Sequence, residues 1–211
     1  MDNAVIFLKI LIDLIRNGFW QKGQEMIYFT ADLHFYHENI IRHTQRPFYT
    51  AEEMNKCLIK KWNEKITSED TVYILGDFTM KGPEMAASIL YSLKGKKYFI
   101  RGNHDNFLDR ASFDKSLFVS VQDYMEITYL NSKFVLFHYP IIDWHGMRKG
   151  TIMLHGHQHN QKEYNLKNRQ NGILRYDVGV DANDMAPVSA QEIINFFSGI
   201  ASIRNLMETI K

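Results

Sequence analysis

Nine histidines are spread unevenly along this chain, and five of them fall between residues 138 and 159. Two pairs share one spacing: Asp32 with His34, and His157 with His159. In an extended segment a spacing of two puts both side chains on the same face. Between these pairs stand Asp77 after Gly76, Asn103 and His104 within Gly102-Asn-His-Asp105, and His138. Carboxylate, amide oxygen and imidazole donors without thiolate suit Mn²⁺, Fe or Zn²⁺, with Mg²⁺ also admissible, and disfavour copper(I) or iron–sulfur chemistry. Asp32, His34, Asp77, Asn103, His138, His157 and His159 are too many for one tetrahedral site. They suit two divalent ions that share one carboxylate. Two ions about 3.5–4 Å apart can clamp a phosphate and hold a hydroxide between them. Each short block alone is weak, since Asp-x-His also serves as a solvated pair, Gly-Asp as a turn and a single histidine as a satisfied polar residue. Their order, each after an apolar run, carries the weight.

The elements that must position these residues are legible as strands. Ile27–Ala31, Thr71–Leu75, Tyr98–Ile100, Lys133–Phe137 and Thr151–Leu154 are short apolar runs, and each stops at one of the blocks. In open α/β sheets the ligand crevice lies outside the carboxyl ends of the strands, so parallel neighbours would bring these residues together. Tyr124–Leu130 and Lys133–Phe137 flank Asn131-Ser132 and read as a hairpin. Thr50–Glu53 and Ser189–Glu192 are capping boxes that open helices, the first running to about Trp62. Pro83 suits the first turn of a helix to about Leu93. Ile173–Val180 reads as a late strand, and the polar stretch Asn160–Gly172 as a loop.

The 211 residues, 45% of them apolar, are enough for one domain with a sizeable core. A net charge of +1 argues against a broad basic nucleic-acid footprint. Cys57 is the single cysteine, which excludes an internal disulfide and fits a reducing, cytoplasmic compartment. Residues 1–25 read as an amphipathic helical extension preceding a domain of residues 26–211, because Lys9, Asp13 and Arg16 recur at helical spacing beside a wide apolar arc. The run from Val5 to Ile15 would span about 16 Å as a helix, against about 30 Å of bilayer hydrocarbon, so no transmembrane span is expected. Docking on the domain or on a second copy, giving a homo-oligomer, is favoured over an interfacial membrane anchor. Met26 is an alternative natural start.

The blocks Asp32-Leu-His34, Gly76-Asp77, Gly102-Asn-His-Asp105, His138 in Leu-Phe-His-Tyr-Pro, and Gly156-His-Gln-His159 resemble the five blocks of the calcineurin-like metallophosphoesterases. The resemblance runs from about Met26 to Glu192. His37-Glu-Asn-Ile-Ile41 with Arg46-Pro-Phe48 is similar to a small single-domain bacterial or phage-type branch. Gly76-Asp77-Phe-Thr-Met departs from many relatives, which carry a second acidic or amide residue there. The resemblance implies a four-layer αββα sandwich of two mixed β-sheets flanked by helices. It implies one metal on Asp32, His34 and His159, another on Asn103, His138 and His157, and Asp77 bridging them. It further implies in-line attack on phosphorus by a metal-bridging hydroxide, with His104 assisting the leaving group and Asp105 orienting His104.

The expected activity is that of a dinuclear phosphoesterase acting on phosphodiesters or nucleotide-like small molecules. Two alternatives stand beside it: a non-catalytic metal-binding scaffold on the same fold, and a nuclease acting on nucleic acid ends. Arg46 is a candidate grip for a substrate phosphate, since guanidinium matches phosphate oxygens in a fork, or else a surface arginine before a turn. His37 is a candidate wall of the substrate pocket. His155 is left out of the ligand set, and Asp177 and Asp181 either support the histidines or form a turn.

Overall fold

The computed structural model describes residues 25–200. The expected N-terminal helix and any oligomer contact made through it lie outside the described residues.

The first sheet contains β1 (Ile27–Thr30), β2 (Thr71–Leu75), β3 (Lys96–Ile100) and β4 (Ser120–Gln122), all parallel, in the order β4-β3-β2-β1. A second sheet contains β5 (Tyr124–Tyr129), β6 (Ser132–Phe137), β7 (Ile152–His155) and β8 (Arg175–Asp177), with β5 antiparallel to β6 and the rest parallel. The short β9 (Val188–Ser189) closes the first sheet antiparallel to β1, so both sheets are mixed.

Alternation along the strands explains the layers, because successive side chains point to opposite faces. Val72 and Ile74 of β2 share one core with Ile40 and Ile41 of α1 (Glu38–His43), with Met54, Leu58 and Trp62 of α2 (Ala51–Lys65), and with Ile89 and Leu90 of α3 (Pro83–Ser92). Tyr73 and Leu75 face the other way, into a core shared with Phe134 and Leu136 of β6 and Leu154 of β7. On the outer face of the second sheet, Val135 and Met153 are covered by Trp144 and a 3-10 turn at Met147–Lys149. No helix among the described residues is long and apolar enough to cross a membrane.

Both expected N-caps form, with one difference. Ser189 Oγ accepts from Glu192 N while the Glu192 carboxylate accepts from Ser189 N, a complete box opening the C-terminal helix Ala190–Phe197, here α5. Thr50 Oγ1 accepts from Glu53 N, but the Glu53 carboxylate reaches Tyr49 N at 2.9 Å.

Four expectations are revised. The stretch expected as a loop contains a helix, α4 (Lys162–Gln170). It docks through amides: Asn165 donates to Asp177 O and accepts from Asp177 N, and Asn168 donates to Arg175 O. With no apolar stripe it shows no helical hydropathy pattern. The late strand shrinks to Arg175–Asp177, because Gly179 and the turn after it leave the sheet. The hairpin turns at Leu130-Asn131, both left-handed at φ 47° and 62°, and β6 already begins at Ser132. Finally, α2 runs three residues past Trp62, to Lys65.

Candidate metal centre

Every block lies just past the carboxyl end of a strand: Asp32 and His34 after β1, Asp77 after β2, Asn103 and His104 after β3, His138 after β6, His157 and His159 after β7. The two sheets face each other, so these ends converge. Asp32, His34 and His159 form one group, and Asp77, His138 and His157 a second. Within each group the three ligand atoms lie within 4.8 Å of one another. Asp77 Oδ2 lies between the two groups, 3.5 Å from His34 Nε2 and 3.6 Å from His138 Nε2.

The backbone that aims these side chains is strained. Asp32, His34, Asp77, His157 and His159 all have φ between 49° and 72°, the left-handed region that non-glycine residues rarely adopt. Such residues cost of order 1–3 kcal/mol each and cluster at functional sites. Two glycines make the approach sterically feasible. A Cβ on Gly76, itself at φ 85°, would sit 2.5 Å from His138 Nδ1, and one on Gly156 would sit 2.6 Å from Asp32 Oδ2.

The hydrogen bonds fix which atoms face inward. His138 Nδ1 donates to Leu75 O at 2.7 Å, and His159 Nδ1 donates to Asp181 Oδ2 at 2.9 Å. With Nδ1 so engaged, Nε2 is the ring nitrogen that each imidazole turns toward the groups. Burial, and then the neighbouring cationic groups, push His34 down to about 2. Burial likewise lowers His138 and His157, against the opposing pull of Asp77. These imidazoles are therefore neutral, the form that binds metal. Asp32 is fully buried and accepts both of its close contacts from His157 N, at 2.9 and 3.0 Å. Burial and the nearby carboxylates of Asp177 and Asp77 raise its pKa.

A cation fits this arrangement on two counts. His34 Nε2 is buried without a hydrogen-bond partner. At 3.0 Å from Asn103 Oδ1, His138 Nε2 faces another acceptor, with no proton to share once Nδ1 has donated to Leu75 O. Lone pairs of this kind, converging from imidazole, carboxylate and amide, are satisfied by a divalent ion.

The calcineurin-like phosphoesterase family profile matches residues 26–183. The chain belongs to the calcineurin-like phosphoesterase family. The chain is 34% identical to an uncharacterized protein of Methanocaldococcus jannaschii over 184 residues, covering 85% of this chain and 96% of the relative. It is 26% identical to the gene 66 protein of a Mycobacterium phage, over 80% of this chain and 96% of that one. Among solved structures, a protein of unknown function from Aquifex aeolicus superposes with a TM-score of 0.66 at 28% identity, over 82% of this chain and 99% of that one.

Two expected roles look different in the structure, and a third is decided. Arg46 is not at the surface and does not point its guanidinium at the centre. It is buried, donates to both oxygens of Asp181 at 2.8 Å, and also donates to Asp32 O and Leu33 O. Asp105 does not hold His104. Its buried carboxylate accepts from the backbone N–H groups of Asp77, Phe78 and Gly102 at 2.7–2.9 Å, stapling the ends of β2 and β3 together. Burial raises Asp105 to about 6, with the three amides pulling the other way. Asp181, weighed from the sequence as a support or a turn residue, supports His159. Burial pushes its carboxyl up, but the hydrogen bonds from His159 and Arg46 outweigh that and hold it at about 2.

The remaining positions are as follows. The His104 ring lies 5.6 Å from the His34 ring, and its backbone N–H donates to Asp77 Oδ1 at 2.9 Å. His37 Nδ1 lies 3.4 Å from His34 Nδ1, at the rim of the first group. His155 is buried apart from both groups, bonded to Gly156 O and Tyr164 Oη. Tyr139, which the sequence left unmarked, lies edge-on to His157 with ring centroids 4.6 Å apart and is 36% exposed.

Proposed function

We propose that this chain hydrolyses phosphodiesters or nucleotide-like phosphate esters at a dinuclear metal centre. The observation that carries the reading is the position of Asp77 Oδ2, within 3.6 Å of a histidine from each ligand group. Asp32, His34 and His159 would hold one ion, Asn103, His138 and His157 the other, and Asp77 both. Mn²⁺, Fe or Zn²⁺ suits these donors. Bound there, two divalent ions supply Lewis acidity toward phosphoryl oxygens and acidify water.

The chain's own residues do the rest. His104 stands beside the centre with its backbone anchored to Asp77, and its imidazole gives a proton to the leaving oxygen. Asp105 positions Asp77 through the amide staple. His37 lines the rim on the His34 side. The net charge of +1 favours a small ester over a long polyanion.

Chelator-stripped protein resupplied with Mn²⁺, Zn²⁺ or Mg²⁺ should hydrolyse an activated aryl phosphodiester, with the matching monoester measured beside it to set the preference. Two ions bound without turnover of either ester would instead make the chain a metal-binding scaffold. The His104→Ala variant should keep both ions while turnover falls about 10²–10⁴-fold. Full activity in that variant would remove His104 from the mechanism.

A further inference from the structure

Beside His159 the surface opens into a cleft of about 640 Å³, within the range of small-molecule sites. It lies between the end of α1 and the segment carrying His159. Ile40 and His43 contribute from α1, Thr44 and Gln45 form one wall, and Gln158 and Gln161 the other. The lining contains no carboxylate, lysine or arginine.

The polar groups of this cleft are free to bind. Gln161, which precedes α4, makes no side-chain cap hydrogen bond. Gln158 Oε1 accepts from Asn160, leaving its NH₂ to donate elsewhere. Thr44 Oγ1 donates to Ile40 O, leaving its lone pairs to accept. The wall is also rigid. Gln45 sits at φ 57° just beyond α1, and its neighbour Arg46 is locked to Asp181, which in turn holds His159. Cleft and metal centre therefore share one frame.

We propose that this cleft is the subsite for the nucleobase of a nucleotide ester whose phosphate lies at the metal centre, an inference that rests on the phosphoesterase reading above. A primary amide presents a donor and an acceptor side by side, the pattern displayed by base edges and met bidentately by glutamine. A lining without carboxylate, lysine or arginine suits an uncharged base, while the phosphate's charge is met at the adjoining ligand groups. His159 belongs both to the lining of the cleft and to the first ligand group, so the cleft adjoins the place where the phosphorus would sit.

The test is equilibrium binding by calorimetry of adenosine 5′-monophosphate, ribose 5-phosphate and inorganic phosphate to the metal-loaded protein. The nucleotide should bind about tenfold or more tighter than ribose 5-phosphate, the discrimination of one good bidentate pair. The double variant Gln158→Ala/Gln161→Ala should collapse that ratio. So should Gln45→Gly, in which glycine keeps the left-handed backbone. Equal binding of nucleotide and ribose 5-phosphate by the unaltered chain would show that no base is held. A ratio that survives both variants would place the base elsewhere. Either result overturns the proposal. Amide-dependent nucleotide binding without hydrolysis of any ester would sink the phosphoesterase reading alone, and hydrolysis without base discrimination would sink the subsite alone.

Discussion

At His159 the imidazole is fixed by side chains remote in sequence, whereas at His138 it is fixed by the main chain of β2, in the facing sheet. His159 Nδ1 meets Asp181, and Asp181 meets Arg46, 135 residues earlier in the chain. His138 Nδ1 meets Leu75 O, and Asp77 beside it is held by the Asp105 staple to three backbone amides. The first group thus depends on a buried ion pair, and the second on hydrogen bonds to main-chain groups just at or past the ends of β2 and β3. A buried ion pair is vulnerable to the loss of either partner, because the survivor is left charged and desolvated. A main-chain carbonyl at the end of β2 stays in place as long as the two sheets remain packed face to face. The same residue types therefore fail differently, and Asp77, whose Oδ2 lies within 3.6 Å of a histidine from each group, is the place where both would fail together.

The largest effect is expected there. Asp77→Asn should lower occupancy of both groups, read as metal stoichiometry after dialysis against limiting Mn²⁺ or Zn²⁺. Two ions retained at unchanged affinity would mean the groups are independent and the carboxylate is not shared. Arg46→Ala should separate the groups. It leaves Asp181 buried without its cation and should cost about 3–5 kcal/mol of stability. Affinity at the Asp32–His34–His159 group should fall about 10–100-fold, as for other lost partners of metal-binding histidines. The second group should keep its ion. Equal weakening at both would erase the distinction drawn here.

That distinction was only half legible in the sequence. Residues following apolar strands advertise themselves together: one run that stops at Gly-Asp, such as Thr71–Leu75, reads as a turn, but five runs that each stop at a candidate ligand have few structural excuses. The five blocks and the strands that bear them are of this kind. Arg46 and Asp181 are not: one follows the end of α1 and the other lies in the short 3-10 turn Val180–Ala182, and only the fold brings them to 2.8 Å. Asp105 was visible as a residue but not as a staple, since its partners are backbone amides that any sequence supplies. The α4 helix was hidden for a related reason: its buried face is Asn165 and Asn168, polar side chains whose partners lie on the edge of β8. Contacts made by apolar periodicity can be read in advance, and contacts made by buried polar pairs cannot.

Breaking the backbone-based side is a smaller perturbation. Asp105→Asn keeps one acceptor oxygen but cannot serve all three amides, so a buried N–H loses its partner. A loss of about 1–3 kcal/mol is expected in denaturant unfolding. Occupancy of the Asp77–His138–His157 group should weaken more than that of the first group. The opposite order would mean that the staple acts through Gly102 and the fold in general, not through the aim of Asp77.

The smallest effect belongs to a site that touches neither group. Ser189 and Glu192 close a capping box at the start of α5, whose Ile193 and Phe197 pack into the core between the sheets. Ser189→Ala should cost about 1 kcal/mol, typical of a lost N-cap, and leave both metal affinities where they were. Burial tends to raise the Glu192 pKa, but the hydrogen bonds to Ser189 and the charge of Lys65 hold it below its ordinary value. Its folded-state pKa is thus depressed. Its contribution is present above about pH 4.5 and is lost as the pH falls through the folded value. The stability gap between the unaltered chain and Glu192→Gln should therefore be open at neutral pH and close on acidification. A gap that widens with acid would reverse the sign of that contribution. A change in metal affinity on Ser189→Ala would show that β9, paired to β1 beside Asp32, transmits strain into the first group, and the contrast between the two groups would then extend to the edge of the sheet.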